Sequence, residues 1–369
     1  MARSAPRPQP IEIELAGASL QLRGDNAELL EYARVHLAPL GRSTAAEPAI
    51  ESELRWHEGA PPERAARHPQ LGGMERLDRD LYRGEGQLLW FRIDELPDLH
   101  LQFHWDGRRL RVEGDYYHRL SKRASSDRLK RLVYRSRVPQ LRQRRFTTLL
   151  YYLVYYPCFW WLERQRDLHP IHAAGVELDG RVVLLAGPSG VGKSTLSTGL
   201  AALPGARLLS DTFILHKGTT ARPVCEPLLL DRFSREWIGA GAERLQPIDW
   251  RYCLGRDGFH WPREHQSGGG EVKLLLFPHR AARPGLRRVE PQAAHARISS
   301  GDFIINDLRR YWAFAAVLEM LDPTLLVAAR ERNLAELTAA VPCHEIGLTR
   351  EVGREALAAQ VRQLAAASG

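Results

Sequence analysis

The sequence predicts an α/β core preceded by a smaller α+β domain, and three observations predict it. The apolar run "RVVLLA" (181–186) passes into Gly187-x-x-x-x-Gly192-Lys193-Ser194 and then into a helical pattern, the strand, loop and helix order of a phosphate-cradling P-loop. From Ile171 onward, short apolar runs alternate with helical stretches, as in α/β folds. Before residue 115, alternating polar and apolar runs are punctuated by turn residues such as Asp106-Gly107, which is the pattern of strands and hairpins.

Taken in order, "IEIELAGASLQL" (11–22) alternates like a half-buried strand, and "AELLEYARVHLAPL" (27–40) repeats its apolar residues at helical spacing up to Pro39. Asp106-Gly107 in "LHLQFHWDGRRLRVEG" predicts a hairpin with a two-residue turn. These elements make residues 1–117 an N-terminal α+β domain, and no catalytic constellation stands out in it.

Residues 118–165 read as a basic and aromatic helical connector. Residues 118–145 hold 11 Lys or Arg against the single acid Asp127, so a chain of net charge +8 carries +10 here and −2 elsewhere. Leu129, Leu132 and Val133 recur at helical spacing, which predicts a helix with a solvated basic face. That face could dock an acidic partner. No base-stacking motif accompanies it, so nucleic-acid recognition is not expected. Phe146, Leu149, Leu150, Leu153 and Val154 mark one face of a helix that Pro157 kinks or ends. Tyr151, Tyr152, Tyr155, Tyr156, Phe159, Trp160 and Trp161 lie beside that face and are expected to pack in the core or at a domain interface.

Residues 166–369 form the α/β unit. A strand over 172–178, a turn at Asp179-Gly180 and a buried strand over 181–186 make a hairpin ahead of the glycine loop. The following helix turns Leu196, Leu200 and Leu203 inward until Pro204-Gly205 stops it. "ARLLSDTFIL" (206–215) reads as the next strand, and "EVKLLLF" from Glu271, "TLLVAA" from Thr324 and "CHEIGLT" from Cys343 as later ones, with helices at about 306–321 and 351–365.

Composition sets the class. With 44% hydrophobic and 26% charged residues in 369, the chain is globular rather than disordered. "MARSAPRPQPIEIEL" shows no export signal, and the most apolar stretch (149–162) is interrupted by Pro157 and falls short of the roughly 20 residues of a membrane span. Cys158, Cys225, Cys253 and Cys343 form no CxxC pair, so reduced thiols and a cytoplasmic location without membrane attachment are expected. His260 and His265 in "FHWPREH" lack the partners of a metal site and read as a solvated loop.

The chemistry centres on the loop. Gly187, Pro188, Ser189, Gly190, Val191, Gly192, Lys193, Ser194 and Thr195 are the candidate cradle for ATP, because glycines let successive amides approach a polyphosphate and the helix start adds a partial positive charge. Lys193 can reach the β- and γ-phosphates, and the Ser194 hydroxyl can hold Mg²⁺. Asp211, 18 residues beyond Lys193 at the end of the next predicted strand, is the candidate to accept a proton from a substrate hydroxyl, to bind Mg²⁺, or both. That expectation assumes its strand neighbours the loop strand. His172 opens the strand paired with 181–186 and is the third catalytic candidate beside Asp211 and Lys193.

Over residues 171–216, "HAAGVELDGRVVLLAGPSGVGKSTL" followed by "LLSD" resembles the C-terminal catalytic domain of the HPr kinase/phosphorylase family, in particular its HPr-kinase-related members. The resemblance implies a P-loop kinase core of the HPr kinase C-terminal type, akin to phosphoenolpyruvate carboxykinase, behind an N-terminal domain. It implies Asp211 as the base of phosphorylation and a role for His172 near it. Thr212 stands where the family carries a second aspartate, a departure that weakens the case for metal binding and for the reverse, phosphorolytic reaction. "EWIGAG" from Glu236 departs from the family's E-x-R-G-x-G signature, and Arg280 and Arg283 are candidates for its basic substrate loop. Homo-oligomers occur in the family, and the resemblance extends that expectation to this chain.

The sequence therefore points to an ATP- and Mg²⁺-dependent serine kinase acting on a protein or small-molecule phosphoacceptor. Two alternatives remain at this point: a metabolite kinase of the shikimate-kinase type, whose strands beside the loop run parallel, and a nucleotide-binding switch or ATPase without an acceptor. No guanine-recognition motif N/T-K-x-D is present.

Overall fold

The computed structural model describes residues 8–61, 71, 73–93, 95–120, 133, 138–249, 256–324, 326–349 and 353–367. The chain divides into two compact units, Met1–Trp161 with Phe314–Thr324, and Leu162–Ala313 with Leu325–Gly369. Most of the basic stretch, including Leu129 and Leu132, lies outside the described residues.

The first unit is built on an eight-stranded sheet. Its elements are β1 (Ile11–Leu15), β2 (Ala18–Gly24), α1 (Ala27–His36), β3 (Ile50–Glu58), β4 (Glu75–Asp78), β5 (Leu81–Gly84), β6 (Gln87–Trp90), β7 (Leu99–Trp105), β8 (Leu110–His118), α2 (Val138–Leu150), a π-turn (Tyr151–Tyr155) and the start of α3 (Tyr156–Arg166), whose residues from Leu162 belong to the second unit. The strand order is β1-β2-β3-β8-β7-β6-β5-β4. The stretch 11–22 is two strands rather than one, because Ala16 and Gly17 take φ of 49° and 93° and turn the chain back on itself. The β7–β8 loop has four residues rather than two: Trp105 pairs with Leu110, and the Asp106 carboxylate accepts the Arg108 and Arg109 amides at 2.8 and 2.7 Å, stabilising the wider turn.

Alternate residues of these strands, among them Leu20, Leu22, Ile50, Leu54, Leu110 and Val112, are buried. The aromatic cluster joins this core: Tyr152, Tyr155, Tyr156, Phe159, Trp160 and Trp161 are buried, as packing rather than stacking on a ligand. The π-turn precedes Pro157 and closes with the Tyr156 amide on the Tyr151 carbonyl. A wider turn of this kind accommodates the amide that proline lacks. Ser52 donates to the Leu153 carbonyl at 2.6 Å and anchors the turn on β3.

The second unit contains β9 (His169–Ile171), β10 (Ala173–Leu178), β11 (Arg181–Ala186), α4 (Lys193–Ala201), β12 (Ala206–Ser210), β13 (Ile214–Lys217), β14 (Thr220–Pro223), β15 (Leu228–Leu230), α5 (Arg232–Ile238), β16 (Gln246–Ile248), β17 (Asp257–His260), β18 (Gly270–Arg280), β19 (Gly285–Val289), α6 (Pro291–Ile304), α7 (Asn306–Leu318) as far as Ala313, α8 (Leu326–Ala340), β20 (Cys343–Leu348) and α9 (Arg354–Ala367). Its main sheet runs β12-β10-β11-β18-β14-β13-β9, with β20 paired to β18 and β19, and β15-β17-β16 form a separate small sheet. β11, β18 and β20 are parallel, whereas β10 is antiparallel to both β11 and β12.

β11 is apolar from Val182 to Ala186 because both its faces are covered. Val183 and Leu185 pack with Leu196 and Leu200 of α4 and Leu357 and Val361 of α9, while Val182 and Leu184 pack with Ala294 and Ile298 of α6 and Leu334 and Leu337 of α8. Full burial of each such leucine contributes about 1.5–3 kcal/mol. Two sequence expectations change here. The predicted strand 206–215 breaks after Ser210, and its second half, β13, pairs instead with β14 and β9. "TLLVAA" from Thr324 runs into helix α8, because the apolar spacing continues through the buried Leu334 and Leu337, and a short apolar run does not distinguish strand from helix.

Near the start of this unit Glu163, fully buried, accepts the Arg330 guanidinium, the Tyr311 hydroxyl and a ring nitrogen of His169. Among the described residues, no helix is long and apolar enough to cross a membrane.

Candidate functional site

The hairpin β10–β11 sets the stage. Asp179 and Gly180 have φ of 49° and 79°, a turn matched to the twist of paired strands. The register Ala173↔Ala186 brings the residue before β10, His172, opposite the residue after β11, Gly187. The chain then leaves the sheet through 187–192 and enters α4 at Lys193. Gly187, Gly190 and Gly192 adopt φ of 140°, 83° and 101°, a region that side chains with a Cβ rarely enter. Gly192 caps α4 with no side-chain hydrogen bond, so the first amides of the helix keep their donors and the positive end of its dipole faces the loop. Pro188, Ser189 and Gly190 are exposed, Val191, Ser194 and Thr195 half-buried, and Thr195 Oγ1 lies 2.9 Å from Ser234 Oγ of α5.

Lys193 is 6% exposed. Its ammonium donates to the Gly187 and Pro188 carbonyls at 2.8 and 3.0 Å, folding back over the loop. Burial lowers its pKa to about 8, against the opposing charges of Asp211 and Asp302. Arg280, at the exposed end of β18, donates to the Gly190 carbonyl at 3.4 Å.

Asp211 reaches this point by a different route from the one expected. β12 does not neighbour β11, since β10 lies between them. Both flanking strands are antiparallel to β10 and hence parallel to each other, so Asp211, which follows β12, still emerges at the loop end of the sheet. Its Oδ1 is buried without a hydrogen-bond partner among the described residues. Burial raises its pKa, opposed by the Ser194 hydroxyl, the Lys193 and Arg256 charges and the Ser197 hydroxyl. Lys193, Ser194 and Asp211 thus form one cluster.

His172 lies in the bend just before β10 rather than within it. Its Nδ1 is buried and has no hydrogen-bond partner among the described residues, and its ring meets Phe213 edge-on at 6.0 Å. Burial, with the Lys193 charge, lowers its pKa to about 3, which keeps the imidazole neutral at physiological pH.

One residue of this cluster was not singled out by sequence. Asp302 of α6 is 6% exposed, and its Oδ1 accepts the His172 amide at 3.1 Å. Burial pushes its pKa up to about 8, opposed by the His172 amide and the Lys193 charge. An acid on the inward side of "PQAAHARISSGDFI" (291–304) is the only sequence signal it offers, since a buried carboxylate needs a partner.

No protein-family model matches the chain, and no curated protein matches it. Among solved structures, the HPr(Ser) kinase/phosphatase from Coxiella burnetii aligns over 53% of this chain and 89% of that one, with 15% identity and a TM-score of 0.27.

Proposed function

We propose that the chain is an ATP- and Mg²⁺-dependent phosphotransferase that moves the γ-phosphoryl group to a hydroxyl, foremost a serine of a protein, otherwise of a small molecule. The observation that carries this reading is the convergence of a buried ammonium, Lys193, and a buried carboxylate, Asp211, at the end of a glycine loop that opens onto an uncapped helix. The residues fit a magnesium nucleotide. Among the described residues, the Lys193 ammonium donates to backbone carbonyls that phosphate oxygens can replace, and Asp211 Oδ1 has no hydrogen-bond partner.

In this reading the amides of 189–195 bind phosphate oxygens. Ser194 and Asp211 would hold Mg²⁺, which when bound neutralises charge on the β- and γ-phosphates. Lys193 orients the γ-phosphoryl group. Asp211, made more basic by burial, takes the proton from the attacking hydroxyl. The neutral His172 stands beside this cluster without adding a positive charge that would compete for the carboxylate. The enzyme would work in the cytoplasm, with the basic stretch 118–145 as a docking surface for an acidic acceptor.

The antiparallel β10 beside β11 counts against a metabolite kinase of the shikimate-kinase type, where parallel strands flank the loop. Incubation of wild type and Lys193→Ala with ATP and host extract, followed by mass spectrometry, tests the proposal. A phosphorylated acceptor formed only by wild type is expected. Release of free phosphate with no acceptor labelled would reassign the chain as a nucleotide-driven switch.

A further inference from the structure

The bend between β9 and β10 is a junction on which two parts of the site depend. The β9 ladder ends at Ile171, paired with Ile214, and the β10 ladder begins at Ala173, paired with Ala186, so the amide of His172 falls outside both. On one side of this residue is Gly187, the first residue of the loop. On the other is β12, whose Ser210 pairs with Gly175 and whose next residue is Asp211. A shift of the bend would move the loop and the carboxylate relative to each other.

What ties the bend down comes from neither strand. The His172 amide donates to Asp302 Oδ1 at 3.1 Å, and Asp302 is carried by α6, which packs on the opposite side of the sheet from α4 through Ala294 and Ile298. Among the described residues the imidazole makes no hydrogen bond at Nδ1, and its ring contacts Phe213, two residues beyond Asp211. A buried polar group is retained only when its partner is worth the desolvation, and here the partner is one backbone amide at the site.

We propose that Asp302 is a positioning residue of the phosphoryl-transfer site: by accepting the His172 amide from α6 it holds the β9–β10 bend, and with it Gly187 and Asp211, in the arrangement the reaction needs. This rests on the phosphotransferase reading given above. Among the described residues, the groups that act on Asp302 are the His172 amide, the Lys193 ammonium and the Glu331 carboxylate. With its pKa pushed up to about 8 by burial, Asp302 serves at neutral pH chiefly as a neutral acceptor, and an asparagine reproduces that role.

The test compares Asp302→Asn and Asp302→Ala with wild type in the full chain. It measures affinity for ATP with Mg²⁺ by calorimetry, total turnover of γ-labelled ATP in host extract, and the His172–Phe213 ring cross-peak by NMR. Asp302→Ala is expected to lower turnover about tenfold to hundredfold, to leave ATP affinity within about threefold, and to lose the cross-peak, the signature of misplacement rather than lost binding. Asp302→Asn is expected to restore all three readouts. Should the alanine variant fail to fold, Asp302→Ser, whose hydroxyl is too short to span the contact, replaces it. Wild-type turnover in a folded Asp302→Ala or Asp302→Ser, or an Asp302→Asn as impaired as either, would overturn the proposal. Wild-type turnover in Lys193→Ala would instead remove the phosphotransferase reading, and the cross-peak would still report whether Asp302 holds His172.

Discussion

Replacing Lys193 by methionine keeps the apolar stem and deletes the charge. The ammonium is buried and donates to two loop carbonyls at 2.8 and 3.0 Å, so binding a nucleotide exchanges at least one of those bonds for phosphate oxygens. An opposite charge at about 4 Å in a site of effective dielectric about 20 is worth about 4 kcal/mol. A charge-assisted hydrogen bond surrendered to a carbonyl returns about 1.5 kcal/mol. The net is about 2.5 kcal/mol, or roughly 50- to 100-fold in Kd.

The fold should not suffer, and the sign of the pKa shift says why. The Lys193 pKa is lowered to about 8 in the folded protein, so the unfolded chain binds more protons between about pH 8 and its ordinary 10.5, and stability rises with pH across that window. Below it the buried charge costs stability, which methionine removes. Titration calorimetry with ATP and Mg²⁺ at pH 7, with thermal unfolding as the control for folding, reads both effects. A Lys193→Met protein that melts no lower than wild type and binds ATP within threefold of it (on the order of 0.6 kcal/mol) would refute the placement of phosphates at this loop.

Asp211→Asn, whose amide oxygen can still face Mg²⁺, should largely keep ATP binding and cut turnover by about 10²–10⁴-fold, as loss of a general base does. Because the folded pKa of Asp211 is raised, its stabilising contribution is present below the unfolded pKa and lost as pH rises through the folded one, so the asparagine variant should melt higher than wild type at neutral pH. A lower melting temperature would contradict the burial of that carboxylate. In Gly190→Ala the added Cβ meets nothing within 4 Å, but φ is +83°. The expected cost is therefore backbone strain of about 1–3 kcal/mol, visible as weaker ATP binding, and unchanged affinity would show that the loop does not need that conformation. Glu163→Gln should lower the unfolding free energy by about 3–5 kcal/mol, since it leaves the buried Arg330 without its counter-charge. Wild-type stability in denaturant titrations would show that this pair is dispensable. The Glu163 pKa is lowered, with burial opposed by the Arg330 charge and hydrogen bond and by His169. Its contribution is thus present above the ordinary value of 4.5 and lost as pH falls through the folded value.

Contiguity separates what was legible in the residues from what was not. The glycine loop of Gly187 to Ser194 could be read directly, because its conformation, with positive φ at Gly187, Gly190 and Gly192, arises within eight consecutive residues and local backbone geometry ties spacing to shape. The Asp179-Gly180 hairpin and the two-faced burial of 181–186 are legible for the same reason. The break after Ser210, the helix at 326–340 and the insertion of β10 between β11 and β12 were not, since each depends on which faces are buried against distant segments rather than on local preference. Asp302, 109 residues beyond Lys193, belongs to the site only because α6 packs on the far face of the sheet. By itself the sequence determined the strand, glycine loop and helix, and tertiary structure alone decided which carboxylates lie beside them, because side-chain meetings across a core follow from sheet order and helix packing, which no short spacing encodes.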